Sequence, residues 1–404
     1  MAGKHVLVFG YHGFRNAGAE SRLVSIVHAL RELLGGDHVH VVTFHRHHLD
    51  YLSGVRKRYL HPAFYKAGAR QLLRDVDMVV FTEGNMLSDA FTKHMVLAHT
   101  TVLEQAAAAG VPAAALAIDS GPLHASRRPR VMAALNILRL LTLRTPAALD
   151  ELRERGLTIP VTVTADCAVS MPLPSEAVRA TVTAQLGLHA PRIHGLAPVD
   201  FFMYPARMAL AGRPGEYVRY PFKGTWPDGG RARSARLVEQ WAAFGAGLAA
   251  RDPECALAVV VMDPSDKRIG LALRAALVRR VGDPQRVRLV SCLALDTVQM
   301  SAALSRLTTI ATSRYHALVM PLAYAVPFVA VGHDNRTRFI TQEMGVERYF
   351  VQHDTPELAA VLADRHRQLM AERDELRPAL TAMFADFQER DRENYRLLAK
   401  VVEE

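Results

Sequence analysis

The chain offers little sulfur chemistry. Its 404 residues hold three cysteines, Cys167, Cys255 and Cys292, far apart in the chain. They form neither a disulfide framework nor a metal-binding spacing, and this usage fits a reduced compartment, read here as the cytoplasm. Long hydrophobic runs are also missing. The opening MAGKHVLVFGYHG has no apolar h-region, so neither a signal peptide nor a membrane-spanning segment is expected. The net charge is +9, yet no Lys/Arg block, RNA-stacking motif or C2H2 spacing accompanies it. Nucleic acid is therefore not expected as a partner, and an anionic small substrate or a phosphorylated glycan suits the basic balance better. The glycines make no dinucleotide GxGxxG, which removes NAD as a cofactor.

What is present is an alternation of strands and helices, with 50% hydrophobic residues, in a chain long enough for two domains. His5–Phe9 reads as a compact apolar strand. A glycine-punctuated loop follows from Gly10 to Gly18, then a helix over Ala19–Leu34 with Leu23, Ile26, Val27, Leu30 and Leu33 at helical spacing. His38–Phe44, Asp77–Phe81, Val111–Ile118 and Val161–Thr164 read as further strands. After the proline-rich Met171–Pro174 the composition resets. Strands at Ile193–Leu196, Ala256–Met262 and Arg286–Ser291 then begin a second βαβ series, whose sheet should be mostly parallel. Pro198–Gly230 reads as a long loop carrying Arg207, Arg219 and Lys223, candidates for an anionic substrate. His45-Arg46-His47-His48 lacks nearby carboxylates or cysteines at ligand spacing and reads as a solvated basic loop.

One stretch organises the rest, Ser305 to Arg338. Thr308–Thr312 suits a buried strand, Ser313 an N-cap, Ala317–Ala325 a helix, and Phe328–Val331 a second strand. Arg314, Tyr315 and His316 then occupy a first helical turn, where backbone N–H groups favour an anion. An arginine and a histidine there make a candidate phosphate or carboxylate site with a titratable proton beside it. The same residues also suit a surface turn that pairs with acidic loops.

Ser313-Arg314-Tyr315-His316-Ala317, then Ala325-Val326-Pro327 and His333-Asp334-Asn335-Arg336, resemble the signature of the polysaccharide pyruvyl transferase family. Arg336 stands where a lysine is usual. Gly10, Gly13, Phe14, Asn16, Gly18 and Glu20 resemble that family's opening loop, with Ala19 in place of an aspartate. Gly84, Leu87 and Asp89, Asp119-Ser120-Gly121-Pro122-Leu123 and Thr164-Ala165-Asp166-Cys167-Ala168 follow in the family's order.

The resemblance implies an α/β protein of two Rossmann-like domains facing across a cleft, the GT-B type. The expected boundaries are 1–175 for an acceptor-side domain, 190–380 for a donor-side domain, and 381–404 for a C-terminal helix, a candidate to cross back. It implies transfer of the pyruvyl unit of phosphoenolpyruvate onto the hydroxyls of a sugar or related acceptor, free or lipid-linked, with release of phosphate. His316 is then the catalytic acid or base; Arg314, Tyr315, Arg336, Arg219 and Lys223 hold the donor; Asn16, Glu20, Glu83, Asp89 and Asp119 face the acceptor. No metal and no resident cofactor is required in that scheme. Two rivals share the fold: a GT-B glycosyltransferase using a nucleotide sugar, and a catalytically silent sugar-phosphate-binding protein. The first demands an acidic residue and a base-stacking pocket in the second domain.

Overall fold

Val6-Leu7-Val8-Phe9 is buried along its whole length, and each face of this strand meets its own core. Val6 and Val8 pack with Leu23, Ile26 and Leu30. Leu7 and Phe9 pack with Val79, Phe81 and Val102. A strand buried on both faces belongs to a parallel sheet covered by helices on both sides, and that is what the computed structural model shows. It describes residues 3–44, 49–61, 65–84, 86–90, 92–203, 207–208, 218–219, 222–223, 226–332 and 335–404. The expectations for His45–His48, Asn85 and His333-Asp334, and for the side chains of Arg207, Arg219, Lys223 and Asn335, lie outside the described residues.

The chain divides into two compact units, one of residues 1–171, 205–223 and 386–404, the other of 172–204 and 224–385. The first holds seven parallel strands, β1 (Val6–Phe9), β2 (Val39–Thr43), β3 (Arg56–Tyr59), β4 (Met78–Phe81), β5 (Ala113–Ile118), β6 (Leu140–Leu143) and β7 (Thr162–Val163). Their order is β3-β2-β1-β4-β5-β6-β7. Helices α1 (Ala17–Leu34), α2 (Tyr65–Leu72), α3 (Lys93–Ala108), α4 (Arg128–Leu135) and α5 (Ala147–Glu154) connect them.

The second unit begins with α6 (Glu176–Leu186) and β8 (Arg192–Ala197). Where the sequence reads as a loop, short strands β9 (Arg207–Met208), β10 (Val218–Arg219) and β11 (Phe222–Lys223) pair antiparallel. Two-residue strands carry no periodicity to detect, which is why pattern reading misses them. These strands, with Arg219 and Lys223, belong to the first unit. The second unit continues with α7 (Gly230–Arg251), β12 (Cys255–Val261), α8 (Lys267–Val281), β13 (Val287–Ser291), α9 (Thr297–Leu304), β14 (Thr309–Thr312), α10 (His316–Val319), β15 (Phe328–Gly332), α11 (Asn335–Glu343), β16 (Phe350–Gln352) and α12 (Leu358–Ala371). Its parallel sheet runs β13-β12-β8-β14-β15-β16. Helix α7 approaches that sheet closely at Gly245. A Cβ there would lie 2.8 Å from Leu277 and 2.9 Å from Leu196, so Gly245 is needed for contact rather than flexibility.

Helix α13 (Arg373–Glu403) closes the chain, and its residues from Asp386 onward belong to the first unit. Leu398 and Val402 join the core beneath α1. Asn394 is fully buried; its Oδ1 accepts from Thr164 Oγ1 at 2.8 Å and its Nδ2 donates to Asp391 Oδ1 at 2.9 Å. Burial raises the Asp391 carboxyl to about 6, although hydrogen bonds from Ser170 and Asn394 pull the other way. A carboxyl raised above its unfolded value destabilises the fold once pH exceeds that value, and the penalty vanishes below about pH 4. Asp391→Asn should therefore raise the free energy of unfolding at pH 8 by about 3 kcal/mol and leave it nearly unchanged at pH 4. Urea midpoints at the two pH values check this. No described helix is long and apolar enough to cross a membrane.

Candidate functional site

In an open parallel sheet, ligands meet the carboxyl ends of the strands where the strand order reverses. In the first unit that point lies between β1 and β4, and a side chain already bridges it. His12, in the loop after β1, sets its Nε2 2.8 Å from Thr82 Oγ1 at the end of β4. His12 is buried, and desolvation lowers its pKa to about 3 against a weaker opposing hydrogen bond to the Val42 carbonyl. The imidazole is therefore a neutral clasp.

Behind the clasp lies a buried ionic network. Arg22 Nη1 donates to Asp166 Oδ2 at 2.8 Å, and Arg144 Nη1 to the same oxygen at 2.6 Å. A bulge in β5, where Ala117 takes φ 47°, turns the Leu116 and Ala117 carbonyls to Arg22 Nη2 at 2.9 and 3.1 Å. Gly84 lets Arg144 pass, since a Cβ there would lie 2.8 Å from its Nη1.

The residues expected to face an acceptor are placed at or near this edge, and most already carry internal bonds. Asp119 is 3% exposed and accepts from Arg144 Nε at 3.0 Å, Ser120 N at 3.0 Å and Thr145 Oγ1 at 3.1 Å. Asn16 caps α1 by accepting from Ala19 N at 2.8 Å. Glu20 accepts from Arg15 N at 2.8 Å and Tyr51 Oη at 2.9 Å. Asp89 accepts from Arg127 Nε at 2.7 Å and His124 N at 3.0 Å. Glu83 is half-buried beside the Thr82 clasp.

In the second unit the reversal falls between β8 and β14. The turn after β14 differs from the sequence expectation. The helix begins at His316 and yields to a 3-10 turn over Met320–Tyr324, because Pro321 lacks an N–H and crowds the preceding turn. Arg314 thus precedes the helix, Tyr315 takes the N-cap position, and Thr312 Oγ1, not Ser313, accepts from Arg314 N at 2.9 Å. A four-residue helix has little dipole to offer an anion. Positioning comes from side chains instead. Arg314 Nε donates to Asp266 Oδ2 at 2.7 Å and Nη2 to Asp266 Oδ1 at 2.5 Å, with Ser265 Oγ 2.8 Å away. His316 packs edge-on against Tyr315 at 5.2 Å, and Arg336 opens α11 beyond β15.

The neighbouring strand end was not singled out in the sequence. Asp200, three residues past β8, accepts from Trp226 Nε1 at 3.0 Å, Ser234 Oγ at 2.6 Å and Phe202 N at 3.1 Å. The indole so fixed lies under two guanidiniums, Arg268 at 4.3 Å and Arg231 at 5.3 Å. His353, just past β16, packs on Phe201 at 4.8 Å. One chain of contacts therefore links the carboxyl ends of three adjacent strands. It runs from Asp200 after β8, through Trp226 to Arg268 after β12, and from the adjoining Asp266 to Arg314 after β14. The only early signal was the Trp, Phe and Arg content of 198–230 in a chain of just two tryptophans.

Among the described residues one trio approaches metal-ligand spacing. His194, Asp252 and Cys255 place a ligand atom each within 4.8 Å of one another at the amino edge of this sheet. Guanidiniums already occupy it. Arg192 grips Asp252 through two nitrogens, and Arg286 Nη2 stands 3.9 Å from the Cys255 sulfur.

No family model matches the chain. No curated protein matches it. Solved structures do. HepE of Anabaena in complex with UDP-glucose is similar at a TM-score of 0.61 and 12% identity, over 98% of this chain and 99% of that one. A UDP-GlcNAc 2-epimerase from Neisseria meningitidis bound to UDP-GlcNAc is similar at 0.62 and 11%, over 99% and 100%. MnaA of S. aureus with UDP is similar at 0.60 and 13%, over 94% and 90%. At such identities the likeness establishes the fold, two parallel-sheet Rossmann-like domains of the GT-B type.

It also corrects the family expectation. These neighbours are UDP-sugar proteins, not pyruvyl transferases, so the assignment to that family is withdrawn. Pyruvyl transfer from phosphoenolpyruvate goes with it, as does the role of His316 as its acid. The physical reason is that glycine turns, a small-residue–Pro strand entry and an Asp at a strand end recur wherever a βα edge is built. Their order along the chain follows from the fold and does not specify the chemistry.

Proposed function

We propose that the second unit binds a nucleoside-diphosphate sugar and that the protein is a nucleotide-sugar-dependent transferase. The observation that carries this reading is the contact chain from Asp200 through Trp226 and Arg268 to Asp266 and Arg314 at the strand-order reversal. A nucleotide sugar presents a planar base, two phosphates and a sugar. The edge offers an aromatic plane held by its own N–H, cations within reach of that plane, and an arginine whose fork Asp266 holds. In glycosyl transfer an acceptor hydroxyl oxygen bonds to the anomeric carbon and gives up its proton while the bond from that carbon to the diphosphate oxygen breaks, and negative charge grows on the leaving diphosphate. Prepositioned guanidiniums stabilise that charge without reorganising. Arg314, His316 and Arg336 serve the diphosphate in this reading, with Tyr315 packed behind His316. That the neighbouring structures carry UDP or UDP-sugars supports it.

Trp241 is fully buried and shielded from a ligand, so a ligand-induced change in tryptophan emission should report on Trp226. UDP is expected to change the emission saturably and to raise the melting temperature, with about 2.7 kcal/mol of stabilisation at a hundredfold excess over Kd. Trp226→Leu should weaken UDP roughly tenfold, in line with one base–aromatic stack. If neither UDP nor any UDP-sugar altered emission or melting at millimolar concentration, the reading would fall.

A further inference from the structure

Helices α7 and α8 pack side by side on one face of the second sheet, and their outward faces are charged in one sense. Helix α7 carries Arg231, Arg233, Arg236 and Arg251; α8 carries Lys267, Arg268, Arg274, Arg279 and Arg280. Against these four plus five cations the two helices hold one carboxylate, Glu239, and Arg280 pairs with it at 2.5 Å. Arg236, Lys267 and Arg279 are exposed. Among them Leu271 stands 44% exposed, flanked by exposed Ala272 and Ala275. Arg231 and Arg268 stack on Trp226, Arg233 stacks on Phe202 and Arg280 pairs with Glu239, while the exposed Arg236, Lys267 and Arg279 have no ion-pair or ring partner among the described residues and repel their neighbours.

We propose that this face docks on an anionic lipid surface. Two observations favour a bilayer over the other polyanion, nucleic acid. The outward positions of α8 are aliphatic between the cations, and a leucine gains by entering the headgroup–acyl boundary but has nothing to meet along a phosphate backbone. The exposed positions of the two helices also offer no aromatic side chain for a base to stack on. Docking here sets the nucleotide edge beside the membrane, because α7 and α8 both begin at the carboxyl ends of their strands. A lipid-linked acceptor is the substrate class such an orientation suits.

The test is co-sedimentation of the full chain with vesicles of phosphatidylcholine alone and with roughly 30% phosphatidylserine. Binding is expected to the anionic vesicles only, and to weaken at least tenfold when salt rises from about 0.05 to 0.3 M, as the screening length shortens. Arg236→Glu with Arg279→Glu should weaken it by roughly twentyfold or more, at about fivefold per cation removed. Leu271→Gln should weaken it several-fold. Melting temperature and the UDP-induced emission change should stay the same in both variants. This readout separates failure of the docking face from failure of the nucleotide reading. Absence of binding to anionic vesicles at low salt would overturn the proposal. So would unchanged binding by the double variant, or binding to duplex or single-stranded DNA at least as tight as to vesicles and insensitive to Leu271→Gln.

Discussion

Acidification from pH 7 to 4.5 is expected to unfold this protein cooperatively, because its buried histidines are held neutral. Burial lowers His12 to about 3, His194 to about 4 and His366 to about 3, and nearby cations add to the effect, Arg22 on His12 and Arg251 on His366. His40 moves the same way, to about 4, from burial and then Arg58. An unfolded imidazole takes up its proton near pH 6.5. Above that value neither state is charged and nothing is lost. Below it the unfolded chain binds protons that the folded chain refuses, so stability declines until the folded pKa is reached. By pH 4.5 each of the first three costs about 2–3 kcal/mol. His194 and His366 together remove about 5 kcal/mol from the second unit, as much as the whole stability of a marginal domain, and His12 acts on the first.

His194 and His366 share Thr309 Oγ1, at 2.8 and 3.0 Å, and charge on His194 opposes charge on His366, so they titrate in two steps that belong to the pair. Asp391 offsets part of the loss, since its raised carboxyl favours folding as pH falls through 6. Urea denaturation at half-unit steps between pH 7.5 and 4.5 measures the slope. A change of less than about 1 kcal/mol between pH 7 and 5 would show that these imidazoles are not held neutral. His12→Gln should remove about one proton from the slope.

The largest expected effect of a single substitution is at Asp166. Its Oδ2 accepts from two guanidiniums, Arg22 and Arg144, whose side chains are 1% and 2% exposed. Its Oδ1 accepts from Ala168 N at 2.9 Å and caps the following 3-10 turn. Asp166→Ala leaves Arg144 with Asp119 and Arg22 with the backbone carbonyls of Thr82, Leu116 and Ala117, and opens the cap. Loss of about 5 kcal/mol is expected, 3–5 for a broken buried pair and about 1 for the cap. Asp166→Asn keeps size and cap but not charge, and should lose most of the same amount. Arg22→Met with Asp166→Leu should cost less than Asp166→Ala alone, since it removes an ionic partner as well as the carboxylate. Urea midpoints of the four proteins decide this. Equal stability of Asp166→Ala and the parent would mean the network is solvated.

Part of this was legible in the order of residues. A β-branched or aliphatic run of four to seven residues suits a strand buried on both faces, and the alternation of runs such as VLVF and CALAVVV with helical segments selects a parallel sheet covered by helices. Arg314 and His316 were placed at a strand end for the same reason, since a turn follows every such run. The sequence alone also determined the excess of cations on α7 and α8.

What only the tertiary structure decided depends on partners far apart in the chain. Asp119 and Asp166 stand 47 residues apart in the chain, and only folding sets Arg144 between them and Arg22 against Asp166. Trp226 and Asp200 stand 26 residues apart across a segment with no periodicity, and only the strand-order reversal brings them to one edge with Arg268. Periodicity reports which face of an element is apolar; it carries no information on which strand ends become neighbours. Chemistry at an α/β edge is set by that adjacency, so the fold could be read from the sequence and the site could not.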